Sequence, residues 1–311
     1  MSPANSVLEY GIQLPVQSQS TLYAEPWEAG AGPEDLLAVA RAADRAGFAY
    51  IACCDHVGVP RRLASAMSTI WYDPVATLAF LAAATERVRL LSHIAVVGLR
   101  HPLLTAKQYA TLDHLSGGRL ILGVGAGHVE EEFTALGVDF AARGAVLDES
   151  IDALRAALGP EEFPEHHGKF YDFEGLGQRP RPVQRHVPVW VGGSSPAAVR
   201  RAALKGDGWL PQGDPRERLP AQIERLRRAR EEAGVRAPCV IGAITEPLYV
   251  GAPAWETGRR TLTGAPAALA ESLRAYRALG VDQIQVRFRC RDRSELVDQI
   301  TAFGAEVAPE L

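Results

Sequence analysis

The sequence feature that most constrains the fold is residues 90–128, which read as a strand, a helix and a second strand. Residues 90–97 are mostly apolar with His93 in the middle, residues 105–115 carry apolar side chains at helical spacing, and residues 120–124 are fully apolar. A helix that connects two strands in this way makes them parallel, so their carboxyl ends lie on one face. A histidine interrupts the first strand and a glycine-rich stretch ending at His128 follows the second, so this face is a candidate functional site.

The same alternation continues along the whole chain of 311 residues. Short apolar runs predict eight strands, at residues 9–14, 48–54, 90–97, 120–124, 187–191, 208–210, 239–245 and 282–288. Helical patterns follow them at residues 33–46, 73–87, 105–115, 143–158, 196–204, 215–233, 265–279 and 294–303. No linker rich in Gly, Pro or Ser divides these units. The sequence therefore predicts an α/β fold, a single (β/α)8 TIM barrel spanning residues 1–311, with a doubly wound sheet as the alternative.

One connection is longer than the others, an insertion at residues 159–186 between helix 4 and strand 5. Several prolines interrupt it, and residues 169–173 are its one predicted strand. An insertion of this kind is typical of a lid or an edge of the site, and a surface excursion is the alternative.

Composition excludes several classes of function. The net charge of −4 argues against a nucleic-acid surface or an anionic membrane as partner. The four cysteines have no spacing typical of a disulfide framework or a zinc site, which indicates a reducing compartment. The initial residues MSPANS lack the features of a signal peptide, and no apolar run approaches the roughly 20 residues that span a bilayer. A cytoplasmic protein is expected.

Two histidines stand where strands end, which is where the chemistry of a barrel of this type lies. Asp55 and His56 directly follow the second strand, and a histidine beside a carboxylate is typical of a proton shuttle or a ligand contact. A structural pair is the alternative. His93 interrupts the third strand, which indicates either a bulge that serves a ligand or a histidine hydrogen-bonded inside the barrel.

The fourth strand runs into a glycine-rich stretch made of Gly123, Gly125, Ala126, Gly127 and His128. This stretch lacks the GxGxxG spacing of dinucleotide-binding loops. Three glycines after a buried strand favour a flat ligand close to the main chain, and a flexible connection is the alternative.

The fifth strand ends at Gly192, Gly193 and Ser194, and a helix follows. Free N–H groups at a helix start, with hydroxyls beside them, favour a phosphate site. A tight turn with a serine cap is the alternative. The histidines show no paired spacing typical of metal ligands, so no metal site is predicted.

Long stretches of the sequence resemble the luciferase-like flavin and deazaflavin oxidoreductases, and in particular the subset that uses coenzyme F420. The stretches are WYDPVATLAFLAAATERVRL, LRHPLLTAKQYATLDHLSGGRLILGVGAGH, EEEFTALGVDFAARGAVLDESIDALRAAL and RPRPVQRHVPVWVGGSSPAAVRRAALKGDGWLP. The resemblance covers residues 9 to about 213 and implies a (β/α)8 barrel with an insertion, usually a homodimer.

The resemblance also implies roles for the strand-end residues. The cofactor ring would rest on a bulge with a non-prolyl cis peptide at His93–Ile94, and phosphate would bind the loop after strand four and Gly192, Gly193 and Ser194. His56 would handle a proton or orient the substrate, with Asp55 fixing its tautomer and His128 as a second candidate. The Glu of the family's sugar-phosphate dehydrogenases is replaced here by His128, so that substrate class is not expected.

Three functions are therefore considered. The first is F420-dependent hydride transfer between C5 of the deazaflavin and a small organic substrate. The second is an FMN-dependent two-component monooxygenase that uses reduced flavin and oxygen, and the third is a non-catalytic flavin-binding protein. The first two imply a second copy of the chain and a reductase that supplies reduced cofactor as partners.

Overall fold

Eight parallel strands form a closed barrel in the computed structural model, which describes residues 7–20, 23–212 and 215–311. The strands are β1 (Glu9–Gln13), β2 (Tyr50–Cys53), β3 (Arg89–Ser92), β4 (Leu120–Val124), β5 (Val189–Gly192), β6 (Gly208–Leu210), β7 (Val240–Ile244) and β8 (Gln283–Val286). Each strand pairs with the next along the chain, and β8 pairs with β1. The predicted TIM barrel is thus confirmed. The initial residues MSPANS, on which the signal-peptide interpretation rests, lie outside the described residues.

A helix follows each strand and packs on the outside of the barrel. The helices are α1 (Pro33–Arg45), α2 (Pro74–Ala82), α3 (Pro102–Leu115), α4 (Arg143–Leu158), α5 (Pro196–Lys205), α6 (Leu219–Glu232), α7 (Pro266–Ala278) and α8 (Arg293–Ala302). Helix α2 ends before the predicted residue 87. The buried carboxylate of Asp44 accepts hydrogen bonds from the backbone N–H groups of Glu86, Arg87 and Val88, which holds this segment outside the helix.

The insertion at residues 159–186 runs along the outer surface of the barrel. It contains an antiparallel pair, His166–His167 with Asp172–Phe173, so the predicted strand at 169–173 is shorter than expected. Glu149 of α4 accepts hydrogen bonds from three backbone N–H groups of the insertion, and its Gln178 donates to the Leu103 carbonyl of α3. These contacts hold the insertion against the outer helices, and its role as an edge of the site stays a prediction.

Two short helices, Ala64–Met67 and Glu130–Ala135, lie in the connections after β2 and β4. A parallel pair of strands, Leu248–Val250 and Leu262–Gly264, lies between β7 and α7 and was not predicted. No helix in the described part of the chain has the length and apolar character needed to cross a membrane.

Side chains fill the barrel interior and separate its two ends. The rings of Tyr50 and Trp190 meet edge to face at 5.7 Å between centroids. Their space comes from glycines on neighbouring strands, since a Cβ on Gly11 would lie 2.2 Å from the Tyr50 ring and one on Gly208 would lie 2.5 Å from the Trp190 ring. Because the interior is packed, a ligand must bind at an open end, and in this fold that end is the carboxyl-terminal mouth.

Candidate active site at the barrel mouth

Side chains alternate along β2, so every second residue points toward the barrel axis and the others point toward the helices. Tyr50 and Ala52 point into the barrel interior, so Cys54 and His56 continue on the inner side and Asp55 points outward. The Nε2 of Gln13 on β1 lies 2.7 Å from the Cys54 sulfur, which confirms the inner position of Cys54.

Asp55 therefore does not pair with His56, and the expectation that it fixes the tautomer of His56 is wrong. Its buried carboxylate binds both terminal nitrogens of Arg100, at 2.6 and 2.8 Å, and accepts from the Val96 N–H at 2.9 Å. Neighbouring residues on an extended strand face opposite sides, so a direct Asp55–His56 pair was excluded by geometry. Asp55 instead ties the end of β2 to the segment that follows β3.

Glu132, in the short helix after β4, is the carboxylate that binds His56. Its Oε2 lies 2.9 Å from His56 Nδ1, and its Oε1 accepts from the backbone N–H groups of Val57 and Gly58 at 2.5 and 3.2 Å. Both side chains are mostly buried, with 9% of His56 and 4% of Glu132 exposed. Burial alone would raise the pKa of Glu132, but the hydrogen bonds from His56, Gly58 and Val57 outweigh it and lower that pKa.

An ionised carboxylate can only accept hydrogen bonds, so neutral His56 must carry its proton on Nδ1. The lone pair of Nε2 is then free to accept a proton. The ring of Trp71 lies edge to face with His56 at 4.4 Å between centroids, and the ring of His128 does so at 5.5 Å. Burial and the neighbouring His56 lower the pKa of His128, while Glu132 opposes that change.

His93 lies at the end of β3 and precedes a cis peptide bond to Ile94, the position that the family resemblance implied. The imidazole is buried, and its Nδ1 has no hydrogen-bond partner among the described residues. Burial lowers the pKa of His93 to about 4, so its side chain is neutral near pH 7.

The glycines at the mouth make room for protein side chains. A Cβ on Gly125 would lie 2.5 Å from Ile94 Cδ1, and one on Gly192 would lie 2.4 Å from Ile94 Cγ2. Ile94 thus fills the space between β4 and β5. Gly123 lies against the Ser92 carbonyl, where a Cβ would approach to 1.9 Å. A flat ligand on this side would therefore meet Ile94 before it reached the glycine main chain.

The last two residues of the glycine-rich stretch before His128 face the protein interior. A Cβ on Gly127 would lie within 2.9 Å of both Val96 and Phe133, and its φ of +75° favours glycine. Ala126 packs against the main hydrophobic core. The predicted contact of a ligand with these two residues stays a prediction.

The turn after β5 uses its hydroxyl groups within the protein. Ser194 Oγ donates to the Gln212 carbonyl at 2.9 Å and accepts from the Gln212 N–H at 3.0 Å. Ser195 Oγ accepts from the Ala198 N–H and caps α5. Gly193 has a φ of +106°, which turns the chain into this helix. Any phosphate contact here must come mainly from backbone N–H groups.

The sequence reasoning missed Glu132 and Trp71. Glu132 is the third of three consecutive glutamates, and it is buried while Glu130 is exposed and Glu131 is partly exposed. Its position directly before the buried Phe133 is the one local signal that it faces inward. The contact with His56 spans 76 residues, and periodicity cannot reveal a contact at that separation.

The insertion places a group with ligand chemistry away from the mouth. Side-chain atoms of Glu165, His167 and Glu174 lie within 4.8 Å of one another, on the exposed surface of the insertion. Exposed acidic groups of this kind are common on proteins that bind no metal there, so the cluster supports no site.

The structure is thus a closed (β/α)8 barrel with a buried Glu–His pair at its carboxyl-terminal mouth. This is the end of the barrel where enzymes of this fold have their active sites. The family of luciferase-like monooxygenases matches residues 8–257, and the chain belongs to this family.

An uncharacterized protein of Mycobacterium tuberculosis is 40% identical over 167 residues, which cover 54% of this chain and 57% of that protein. The match therefore spans little more than half the length of this relative. An FMNH2-dependent dimethylsulfone monooxygenase of Pseudomonas putida is 31% identical over 237 residues, 75% of this chain and 60% of that enzyme. The structure of an F420-dependent secondary alcohol dehydrogenase superposes with a TM-score of 0.77 over 98% of this chain and 99% of the other, at 15% identity, and this likeness shows the fold alone.

Proposed function

We propose that this protein is an F420-dependent oxidoreductase that transfers a hydride between the deazaflavin and a small organic substrate. The observation that carries the proposal is the His56–Glu132 pair, which leaves His56 Nε2 free at the barrel mouth. When a hydride is transferred to a carbonyl carbon or from an alcohol carbon, a proton must be added to or removed from the attached oxygen, and a fixed imidazole beside the substrate serves that purpose.

The residues at the mouth fit a planar, phosphate-bearing cofactor. Ile94 is half-buried between Gly125 and Gly192 and offers an apolar surface for one face of a ring. The amino end of α5, after Gly193 and Ser194, would hold a phosphate through backbone N–H groups and the helix dipole. When bound, the deazaflavin would supply the hydride chemistry that no side chain provides.

The protein's own residues would then position the substrate and handle the proton. Glu132 holds the imidazole of His56 through Nδ1–H, so that Nε2 accepts a proton from the substrate or returns one. His128 lies on the same side and is the second proton-handling group that we propose. Trp71 packs against His56 and limits access of water from its side.

A second candidate is an FMN-dependent two-component monooxygenase that uses reduced flavin and oxygen. The similarity to the dimethylsulfone monooxygenase of Pseudomonas putida, at 31% identity, favours this candidate. The same mouth residues would serve either cofactor, because Ile94 and the start of α5 would contact features that the two cofactors share.

Titration of the purified protein with F420 and with FMN, each oxidised and reduced, tests the proposal through cofactor fluorescence. We expect F420 to bind more tightly, and His56→Ala to retain that binding while turnover falls roughly 10²–10⁴-fold. Tighter binding of reduced FMN would favour the monooxygenase. Binding without turnover of any offered alcohol, aldehyde or ketone would favour a non-catalytic flavin-binding protein.

We also propose a homodimer and a reductase that supplies reduced cofactor. Large apolar side chains are exposed on two adjacent helices, Phe80 on α2 and Leu104 and Leu115 on α3. Exposed apolar residues on neighbouring helices are typical of a protein–protein interface. The mass of the protein in solution, measured by light scattering, tests the dimer. The cytoplasmic location stays a prediction.

A further inference from the structure

A second polar region lies at the mouth, two strands away from His56. A small cavity of about 30 Å³ lies where the carboxyl ends of β1 and β8 meet. Its apolar lining includes Leu14 and Phe288, and its polar lining consists of Gln13, Ser18, Tyr23, Glu25, Glu28 and Arg287. A volume of this size holds roughly two water-sized groups.

Arg287 directly follows β8 and faces the mouth. Val286 and Phe288, on either side of it, are buried in the core between the strands and the helices. Alternation along the strand therefore directs Arg287 to the opposite side, toward the barrel axis. Its guanidinium lies 4.9 Å from the centroid of the Tyr23 ring.

No hydrogen bond or ion pair joins the Arg287 guanidinium to any residue in the described part of the chain. Burial lowers the pKa of Arg287, but an arginine side chain stays protonated near pH 7. A half-buried cation with five unused N–H donors is costly unless another group satisfies it.

The acidic groups around the cavity are already engaged. Glu25 Oε1 binds Arg289 at 2.7 Å. Both oxygens of Glu28 accept backbone N–H groups, from Val16 at 2.7 Å and from Glu25 at 2.8 Å. These two carboxylates interact with Arg287 electrostatically but make no hydrogen bond to it, so the N–H donors of Arg287 remain available.

We propose that this cavity binds the oxyanion end of an organic substrate, a carboxylate or sulfonate, through the guanidinium of Arg287. The fork of an arginine matches two oxygens of such a group, and the cavity, which holds about two water-sized groups, has room for those two oxygens. The proposal rests on the proposed function, because it identifies the substrate class of that same mouth.

Strand geometry places the proposed anion site at a useful distance from His56. Arg287 follows β8 and His56 follows β2, with β1 between them. Ile12 pairs with both Val286 and Ile51, so Arg287 is level with Ala52 in the barrel. His56 lies two strands away and four residues farther along, which separates the two backbone positions by roughly 16 Å. Hydrogen bonds from Gln285 to Gln13 at 3.1 Å and from Gln13 to Cys54 at 2.7 Å join the three strands below. A substrate with a stem of several carbons would place its far end beside His56.

Isothermal titration calorimetry with matched six-carbon probes tests this site without measuring turnover. The full-length protein, with and without F420, is titrated with hexanoate, hexane-1-sulfonate and 1-hexanol in Tris chloride, since phosphate or sulfonate buffers would compete. We expect the two anions to bind at least tenfold more tightly than the alcohol. Arg287→Gln should weaken anion binding roughly 10- to 100-fold, and Arg287→Lys should weaken it less, because lysine keeps the charge but loses the fork.

Arg185→Gln is the matched control, because Arg185 is exposed and lines a different cavity near the start of β5. It should leave anion binding unchanged, and the melting temperature of each variant checks its folding. Equal affinity for hexanoate and 1-hexanol in the parent, or unchanged affinity in a folded Arg287→Gln, would overturn the proposal. Preference for the anions through Arg287 in a protein that binds neither cofactor would support this site and overturn only the proposed redox function.

Discussion

Replacing Glu132 with glutamine tests whether a carboxylate at this position sets the protonation state of His56. The amide oxygen of a glutamine would take the place of Oε1 and accept from Val57 and Gly58, as the carboxylate does now. The amide NH2 would then face His56 Nδ1, where Oε2 lies at 2.9 Å. Two donors cannot bond each other, so the imidazole must move its proton to Nε2.

The expected loss of stability follows from the charged hydrogen bonds that Glu132→Gln removes. A hydrogen bond to a charged group contributes about 1.5–3 kcal/mol, so we expect Glu132→Gln to lose about that much free energy of unfolding. With the proton on Nε2, His56 can no longer accept one there, and turnover should fall roughly 10²–10⁴-fold. Urea denaturation measures the first effect, and nitrogen chemical shifts of ¹⁵N-labelled histidine report the tautomer directly.

Glu131→Gln provides the control one residue away, since Glu131 is partly exposed and pairs with Arg62 at the surface. It should change neither stability nor tautomer. The lowered pKa of Glu132 means that its contribution to stability is present above the ordinary carboxyl pKa of 4.5 and is lost as the pH falls through the lowered value. The stability difference between parent and Glu132→Gln should thus shrink in acid. An Nε2–H tautomer in the parent at pH 8 would refute the assignment.

Two further predictions concern buried groups around the site. Asp55→Asn should lower the free energy of unfolding in urea by about 3 kcal/mol, because it leaves the mostly buried Arg100 without its charged partner. Asp73→Asn should have little effect, because Asp73 is exposed and lies 3.9 Å from Arg100. His93 has a pKa of about 4 when folded and an ordinary value of 6.5, so the unfolded chain binds the extra proton and stability is lost as the pH falls from 6.5 to 4. His93→Leu should reduce the loss of unfolding free energy between pH 7 and pH 4, and the control His167→Leu, at an exposed histidine, should not. If the unfolding free energy of His93→Leu changed with pH as steeply as that of the parent, the burial of the imidazole would be contradicted.

The fold was predictable because its signals are local and repeat eight times. Each barrel strand is a short apolar run, and a proline at the first or second position marks the start of most of the following helices. The errors occurred where a distant residue decides a boundary. Helix α2 ends early because Asp44, which lies 42 residues before Glu86, holds the following backbone.

The site was only partly predictable, because strand periodicity gives direction but does not identify partners. Alternation from Tyr50 and Ala52 already directs His56 inward and Asp55 outward, so the expected Asp55–His56 pair could have been rejected from the sequence. The true partner, Glu132, could not have been found in this way. The glycines after β4 and β5 were interpreted as space for a ligand, but the space belongs to Ile94, whose side chain points between them.

The two polar regions of the mouth differ in how their charged groups are hydrogen-bonded, and we propose different tasks for them on this basis. At His56, the Glu132 carboxylate accepts from three N–H groups, so the pair holds a proton on Nδ1 and leaves Nε2 as the site where a proton is gained or lost. At Arg287, the charge is fixed, and its donors have no partner among residues 7–20, 23–212 and 215–311. A group with one exchangeable proton is suited to chemistry, and a permanent cation with free donors is suited to anchoring. The inner positions after β2 and β8 would thus hold the reacting end and the charged end of one substrate, with β1 between them.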